Sequence, residues 1–193
     1  MKCPLRHFRL PALILVGLFL RAPSAHAVAF MAGLGTVQKT TNAGTTWNFS
    51  ASSGGELDGI QFTNDSQGIA VGTLGRVLRT TNGGTSWTSL TTPTTNQLED
   101  VSFASDSIGY AVGAGVALRT TSGGRSWSSI TWPSGACWGL GVWFTSTTTG
   151  VMISDCGGIF RTILKTTDGG ASWTPQTSPV TSTDLIMRVV VAR

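Results

Sequence analysis

Histidine is nearly missing from this 193-residue chain: His7 and His26 are the only two, and both fall within the first 27 residues. Beyond them, every Ser-His or Cys-His nucleophilic arrangement is excluded. Cysteine is scarce too, with Cys3, Cys137 and Cys156 alone. Two cysteines and no histidine after residue 27 do not make a closed zinc site within one chain. Charge is thin, and the formal excess of +4 is misleading. Lys2, Arg6, Arg9 and Arg21 supply all of it, and the rest of the chain balances. That removes the basic patch a nucleic-acid surface needs. Long apolar runs are absent except Leu10–Leu20, which Arg21 ends and which is too short to span a bilayer as a helix.

That run has the layout of a leader. Lys2, Arg6 and Arg9 precede it, and Ala25-His26-Ala27 fits a small-x-small cleavage pattern. Residues 1–27 are read as a secretory signal peptide, with a retained membrane anchor as the alternative. Export to a periplasmic or extracellular space is the expectation, with no stable membrane span after cleavage. In an oxidising compartment, Cys137 and Cys156 are a candidate disulfide, with two free thiols or a metal pair as the rival readings. No cofactor motif appears: Gly-Gly-Thr-Ser lacks the lysine of a phosphate-binding loop.

What the chain does contain is one stretch written four times. The copies are residues 39–47, 79–87, 119–127 and 165–173, each ending on a tryptophan: Trp47, Trp87, Trp127 and Trp173. The spacings of 40, 40 and 46 residues are those of a propeller or solenoid. In the second unit, Gly68–Gly72, Arg76–Thr80 and Ser86–Leu90 read as strands, and Leu98–Phe103 as a fourth after a polar loop. Four short strands per unit make a blade. The expected fold is therefore all-β: a β-propeller of about four blades of four antiparallel strands, over residues 28–193. The chain starts in a second strand, at Ala29–Gly33. It ends on Asp184–Val191, which matches a first strand and is expected to pair with the opening three and close a small ring. A half-ring that forms a homodimer and a truncated larger propeller are the alternatives.

Asn42, Asn82, Ser122 and Asp168 share one turn position. They share a side-chain acceptor and no charge, so they read as turn caps that bond an N–H two residues on. The tryptophans read as wedges between blades. Lys39, Arg79, Arg119 and Lys165 also recur, just before Thr-Thr, and have two readings: their stems pack within the repeat, or they form a cationic partner-binding set. Arg76, Arg125 and Arg161 do not recur and are candidates for a private binding face. Trp132, Trp138 and Trp143 cluster near Cys137, either as a platform for a protein or glycan or as core filler.

Thr-Thr-(Asn/Asp)-Gly-Gly-x-Ser-Trp resembles the Asp box, or bacterial neuraminidase repeat. The wider unit is similar to the photosystem II stability/assembly factor family, the luminal propellers of cyanobacteria and chloroplasts. That family's best-known members have more blades, and its relatives include secreted repeat proteins of non-photosynthetic bacteria. The resemblance implies a non-catalytic exported scaffold that binds a protein, specifically a membrane-protein assembly intermediate, on the lumenal side in a photosynthetic host. A secreted adhesion or carbohydrate-binding protein is the alternative. A sialidase-like glycosidase is the third reading. It would need a private tyrosine, yet the single tyrosine, Tyr110, holds the strand position of Ile69 and Val151. Glu99 and Asp100 point to opposite faces of one strand and need a second element to form a catalytic couple.

Overall fold

The computed structural model describes residues 28–133, 136–155 and 161–176, and the backbone of 15–17. Its strands fall into four antiparallel sheets of four strands each. The first holds β1 (Leu15–Gly17), β2 (Ala29–Gly33), β3 (Thr36–Thr40) and β4 (Asn48–Ser52). The second holds β5 (Leu57–Phe62), β6 (Gly68–Gly72), β7 (Val77–Thr80) and β8 (Thr88–Leu90). The third holds β9 (Leu98–Phe103), β10 (Gly109–Gly113), β11 (Val116–Thr120) and β12 (Ser128–Ser129). The fourth holds β13 (Trp138–Phe144), β14 (Gly150–Asp155), β15 (Arg161–Thr166) and β16 (Thr174–Gln176). No described helix is long and apolar enough to cross a membrane.

Each sheet is a meander, and the architecture is propeller-like. The sequence repeat and the sheet are out of phase: Leu98–Phe103 opens the third sheet instead of completing the second. The reason lies in the turns. The Thr73–Gly75 turn and the box turn, which hydrogen bonds to Thr80 and Asn82 fold back on itself, return the chain to a neighbouring strand, whereas the polar loop from Thr91 to Gln97, as long as the box turn, carries it to a new sheet.

The first sheet departs from expectation. Its first-strand position is held by Leu15–Gly17, within the run read as a leader, with Leu15 opposite Ala32 and Gly17 opposite Phe30. The free edge of β2 offers unpaired N–H and C=O groups that an extended apolar segment can take. Residues 184–191, expected there, lie outside the described residues, as do residues 1–14 and 18–27.

The sheets pack in chain order, β2 against β5, β5 against β9, and β9 against β13. Among the described elements, no comparable packing face joins the first sheet to the fourth. Burial follows this layout, because each apolar cluster belongs to a junction between neighbouring sheets. Phe30, Ala32 and Val37 meet Leu57, Phe62, Ala70 and Leu78. Ile69, Val71 and Val77 meet Leu98, Phe103, Ala111 and Leu118. Tyr110, Val112 and Ala117 meet Val142, Phe144, Met152 and Leu164. A single sheet has no core of its own; burial of apolar area between sheets drives the fold.

Candidate functional site

The box turn is built around its first threonine. Thr80 is fully buried, and its Oγ1 accepts from the N–H of Asn82 at 3.3 Å and of Gly84 at 2.9 Å. The hydroxyl donates to Asn82 Oδ1 at 3.0 Å. That oxygen also accepts from the N–H of Ser86 at 3.0 Å, and Asn82 Nδ2 donates to Ser86 Oγ at 2.9 Å. The net repeats around Thr40 with Asn42, Thr120 with Ser122, and Thr166 with Asp168. The cap thus bonds the N–H four residues on, and the two-residue bond belongs to the threonine. The buried threonine is the residue that sequence reading missed. Its signal was present, since the first Thr of Thr-Thr never varies among the four boxes.

Asp168 performs the Asn role with a charge. Its carboxylate accepts from the Ser172 hydroxyl and N–H and from the Thr166 hydroxyl, and these bonds hold its pKa down at about 2. Hydrogen bonds to the charged form favour ionisation.

The box glycines answer two demands at once. Gly83 and Gly84 have φ of 63° and 74°, in the left-handed region. A Cβ on Gly84 would also meet Phe30 Cε1 of the preceding sheet at 2.4 Å. On Gly124 it would meet Ile69 Cδ1 at 2.4 Å. The turn is therefore where one sheet receives the apolar face of the previous one.

The tryptophans belong to the same junctions. Trp87 meets Phe62 edge-on at 5.8 Å, Trp127 meets Phe103 at 6.1 Å, and Trp173 meets Phe144 at 6.1 Å. Trp87 Nε1 donates to Ser50 Oγ of the first sheet at 3.0 Å. The third sheet carries Ile130 at the position of Ser50, and Trp173 Nε1 is buried without a partner among the described residues. Trp47 is half-buried.

The recurrent cations divide. Lys39 Nζ donates to Gly83 O of the next sheet at 2.7 Å and lies 5.5 Å from the Phe30 ring centroid. Arg79 Nε donates to Gly123 O of the next sheet at 2.8 Å, with Nη2 on Gln67 Oε1 at 3.2 Å. Arg119 instead donates to the Tyr110 hydroxyl at 3.4 Å, which passes the tie to Thr147 O at 3.0 Å. Burial, and then the charge of Arg125, pull the Arg79 guanidinium below its ordinary pKa. Lys165 and Arg125 are exposed at this box end of the sheets. Arg76 stands at the other end of β7 against Gly55 and Thr73, with Nη1 buried and unpartnered among the described residues. The side chain of Arg161 lies outside the described residues.

The end away from the boxes is acidic. Asp58 and Glu99 occupy the same bulge in β5 and β9. Gln97 Nε2 donates to Asp58 Oδ2 at 3.1 Å, and Trp138 Nε1 donates to Glu99 Oε1 at 2.8 Å. Burial, then the Glu99 charge, raise Asp58 to about 7. Burial also raises Glu99, against the Trp138 bond. The second element that Glu99 lacked in sequence is therefore β5, which brings Asp58 near it. Asp100 faces differently and accepts from the N–H of Val142 at 3.0 Å. Trp132 donates to Ala136 O at 2.8 Å and packs on the third junction, so it is not a free platform. Cys137 precedes β13, and its N–H donates to Ser154 Oγ at 3.3 Å; Cys156 lies outside the described residues. Among the described residues, no group of three or more His, Cys, Asp or Glu is placed to hold a metal ion.

Four sheets, each closed by a box whose glycines receive the preceding sheet where there is one, define a propeller-like scaffold of Asp-box type. The comparisons place it more narrowly. Residues 49–135 match the profile of the family described as photosynthesis system II assembly factor YCF48. A solved structure of YCF48 bound to a D1 peptide is 27% identical with a TM-score of 0.54, over 62% of this chain and 39% of that one. YCF48 from Cyanidioschyzon merolae is 31% identical with a TM-score of 0.53, over 62% of this chain and 36% of that one. The chain thus spans well under half the length of either structure. An ancestral GH74 enzyme shares the fold at 16% identity and a TM-score of 0.67, over 83% of this chain and 25% of that one. No curated protein matches significantly. The chain resembles the photosystem II assembly-factor propellers.

Proposed function

We propose that this chain is a non-catalytic, exported scaffold that binds an extended segment of a membrane protein during its assembly. The observation that carries the reading is the resemblance to YCF48, of which one solved relative holds a D1 peptide. The site geometry supports it. The recurrent chemistry of the box is consumed in hydrogen bonds within and between sheets, and Asp58 and Glu99 are each held by a neighbouring donor. Among the cations outside those ties, Arg76 and Arg125 are the proposed partner contacts, because a guanidinium binds carboxylate or carbonyl groups well.

Two further features belong to the proposal. Residues 1–27 direct export. Cys137 and Cys156 form a disulfide, a reading supported by the pairing of Trp138 with Asp155, the residues that adjoin the two cysteines in sequence. A thiol assay under denaturing, non-reducing conditions checks this: a thiol count unchanged by reduction contradicts the bridge.

Binding is tested by titrating the purified chain with a fluorescent D1 peptide and a scrambled control. Saturable binding of the D1 peptide alone, weakened at least several-fold by Arg125→Glu or Arg76→Glu, is the expected result. Equal binding of both peptides, or binding only to glycans, contradicts the proposal.

A further inference from the structure

The three junctions inside the chain share one construction. A row crosses the first three strands of a sheet and faces the next sheet. It is Gln61–Ile69–Arg79 in the second sheet and Ser102–Tyr110–Arg119 in the third. In the first sheet, Phe30 and Lys39 hold the last two places. The row is received by the next sheet's box. In the first two junctions its cation reaches the carbonyl of the first box glycine, Lys39 to Gly83 and Arg79 to Gly123, whereas Arg119 in the third bonds the Tyr110 hydroxyl. Its middle residue packs on the second box glycine, as in Phe30 on Gly84, Ile69 on Gly124 and Tyr110 on Gly170. Its first residue accepts from an N–H of the next sheet's first strand, as in Gln61 from Phe103 at 2.6 Å and Ser102 from Phe144 at 3.0 Å.

The fourth sheet carries the same row as Trp143–Val151–Lys165. Lys165 is exposed and Val151 partly buried, whereas the corresponding Ile69 and Tyr110 are 2% and 1% exposed. The first place holds a tryptophan where the inner sheets have Gln or Ser. At the other end of the chain, the first box presents the receiving half with no described residue packed on it. Ala43 and Gly44 are exposed, whereas Gly84, Gly124 and Gly170 are buried. Among the described residues, a Cβ on Gly44 would meet only Trp47 of its own box, at 4.0 Å. Gly44 has a φ of 85°, so the receiving turn is already formed.

We propose that the Trp143–Val151–Lys165 row docks on the first box of a second copy of this chain, with Lys165 Nζ donating to the Ala43 carbonyl and Val151 resting on Gly44. The two free halves are complementary because they are the halves of a junction the chain makes three times internally. The contact is head-to-tail, so two copies joined twice form a closed assembly of eight sheets. Trp143 supplies the large aromatic anchor such an interface uses.

The test is the mass of the purified full chain by light scattering across a concentration series. Wild type is expected to give a two-chain species. Lys165→Glu removes the donor and Gly44→Asn blocks the receiver while tolerating positive φ. Each alone is expected to raise the concentration of half-dissociation by at least tenfold. Mixing the two variants restores one intact junction, so the mixture is expected to regain a two-chain species that neither forms alone. Thr95→Glu, exposed and outside both halves, should leave the mass unchanged. A wild-type monomer at every concentration overturns the proposal, and means the row is covered by the chain itself. An oligomer unmoved by both variants also overturns it.

Discussion

A glycine pair explains more of this protein than any charged residue does. Gly84 has positive φ and lies against the Phe30 ring, whereas Gly44 has positive φ and open space. Gly84→Ala therefore combines left-handed strain with overpacking, and is expected to cost about 2–4 kcal/mol. Gly44→Ala carries only the strain and is expected to cost about 1 kcal/mol. Urea unfolding of both variants checks the difference. Thr80→Val removes the buried acceptor of two N–H groups, with an expected loss of about 2–3 kcal/mol in the same experiment. Asp168 gives a pH signature. Its pKa is lowered in the folded state, so its contribution is present above the ordinary carboxylate value and is lost as pH falls toward about 2. Asp168→Asn, which copies Asn42 and Asn82, is expected to keep the turn and abolish that acid limb, read as melting temperature from pH 5 down to 2. At this scale the sequence was legible by comparison among copies. Asn, Asn, Ser and Asp at one position exclude a shared charge. The buried threonine was not legible as a hub, because an invariant hydroxyl reads the same whether it is exposed or enclosed.

Elements are joined in this chain by side chain-to-backbone ties that cross from sheet to sheet. Lys39 and Arg79 are such ties, and Tyr110 stands in for one. Tyr110→Phe removes the hydroxyl between Arg119 and Thr147 and is expected to cost about 1 kcal/mol by thermal or urea unfolding. At the opposite end, Asp58 works against stability. Its pKa is raised to about 7 by burial first and then by Glu99. The unfolded chain releases this proton near the ordinary carboxylate value and the folded chain retains it, so stability falls as pH climbs from about 4 to about 7. Asp58→Asn is expected to remove that fall and raise the melting temperature at pH 8 relative to wild type, with little change at pH 4. The strands were legible because glycine-bounded apolar runs recur at a fixed period. Their grouping was not, since a repeat can be cut at any phase and only pairing shows that Leu98–Phe103 opens a sheet. The Asp58–Glu99 neighbourhood was likewise hidden, because it depends on two bulges falling in register.

The whole molecule is an arc of four sheets in which each junction has a core, an aromatic edge contact and a box. The sequence pattern carried that much, since the repeat specifies the sheet and the sheet's two faces specify the order of packing. The ends were harder to read. An apolar run such as Leu10–Leu20 suits a leader and also supplies the Leu15–Gly17 strand, because both demand the same lack of charge. The central claim is that the buried threonines and glycines of the three inner boxes are the framework of these junctions, and that a bound peptide is held by other side chains. Hydrogen exchange of the box amides tests it most directly. The account predicts that the N–H groups of Gly84, Gly124 and Gly170, buried and bonded to threonine hydroxyls, exchange as slowly as those of β6 and β10. Peptide binding should leave those rates unchanged. Fast exchange at all three, or protection that appears only when a peptide binds, would contradict it.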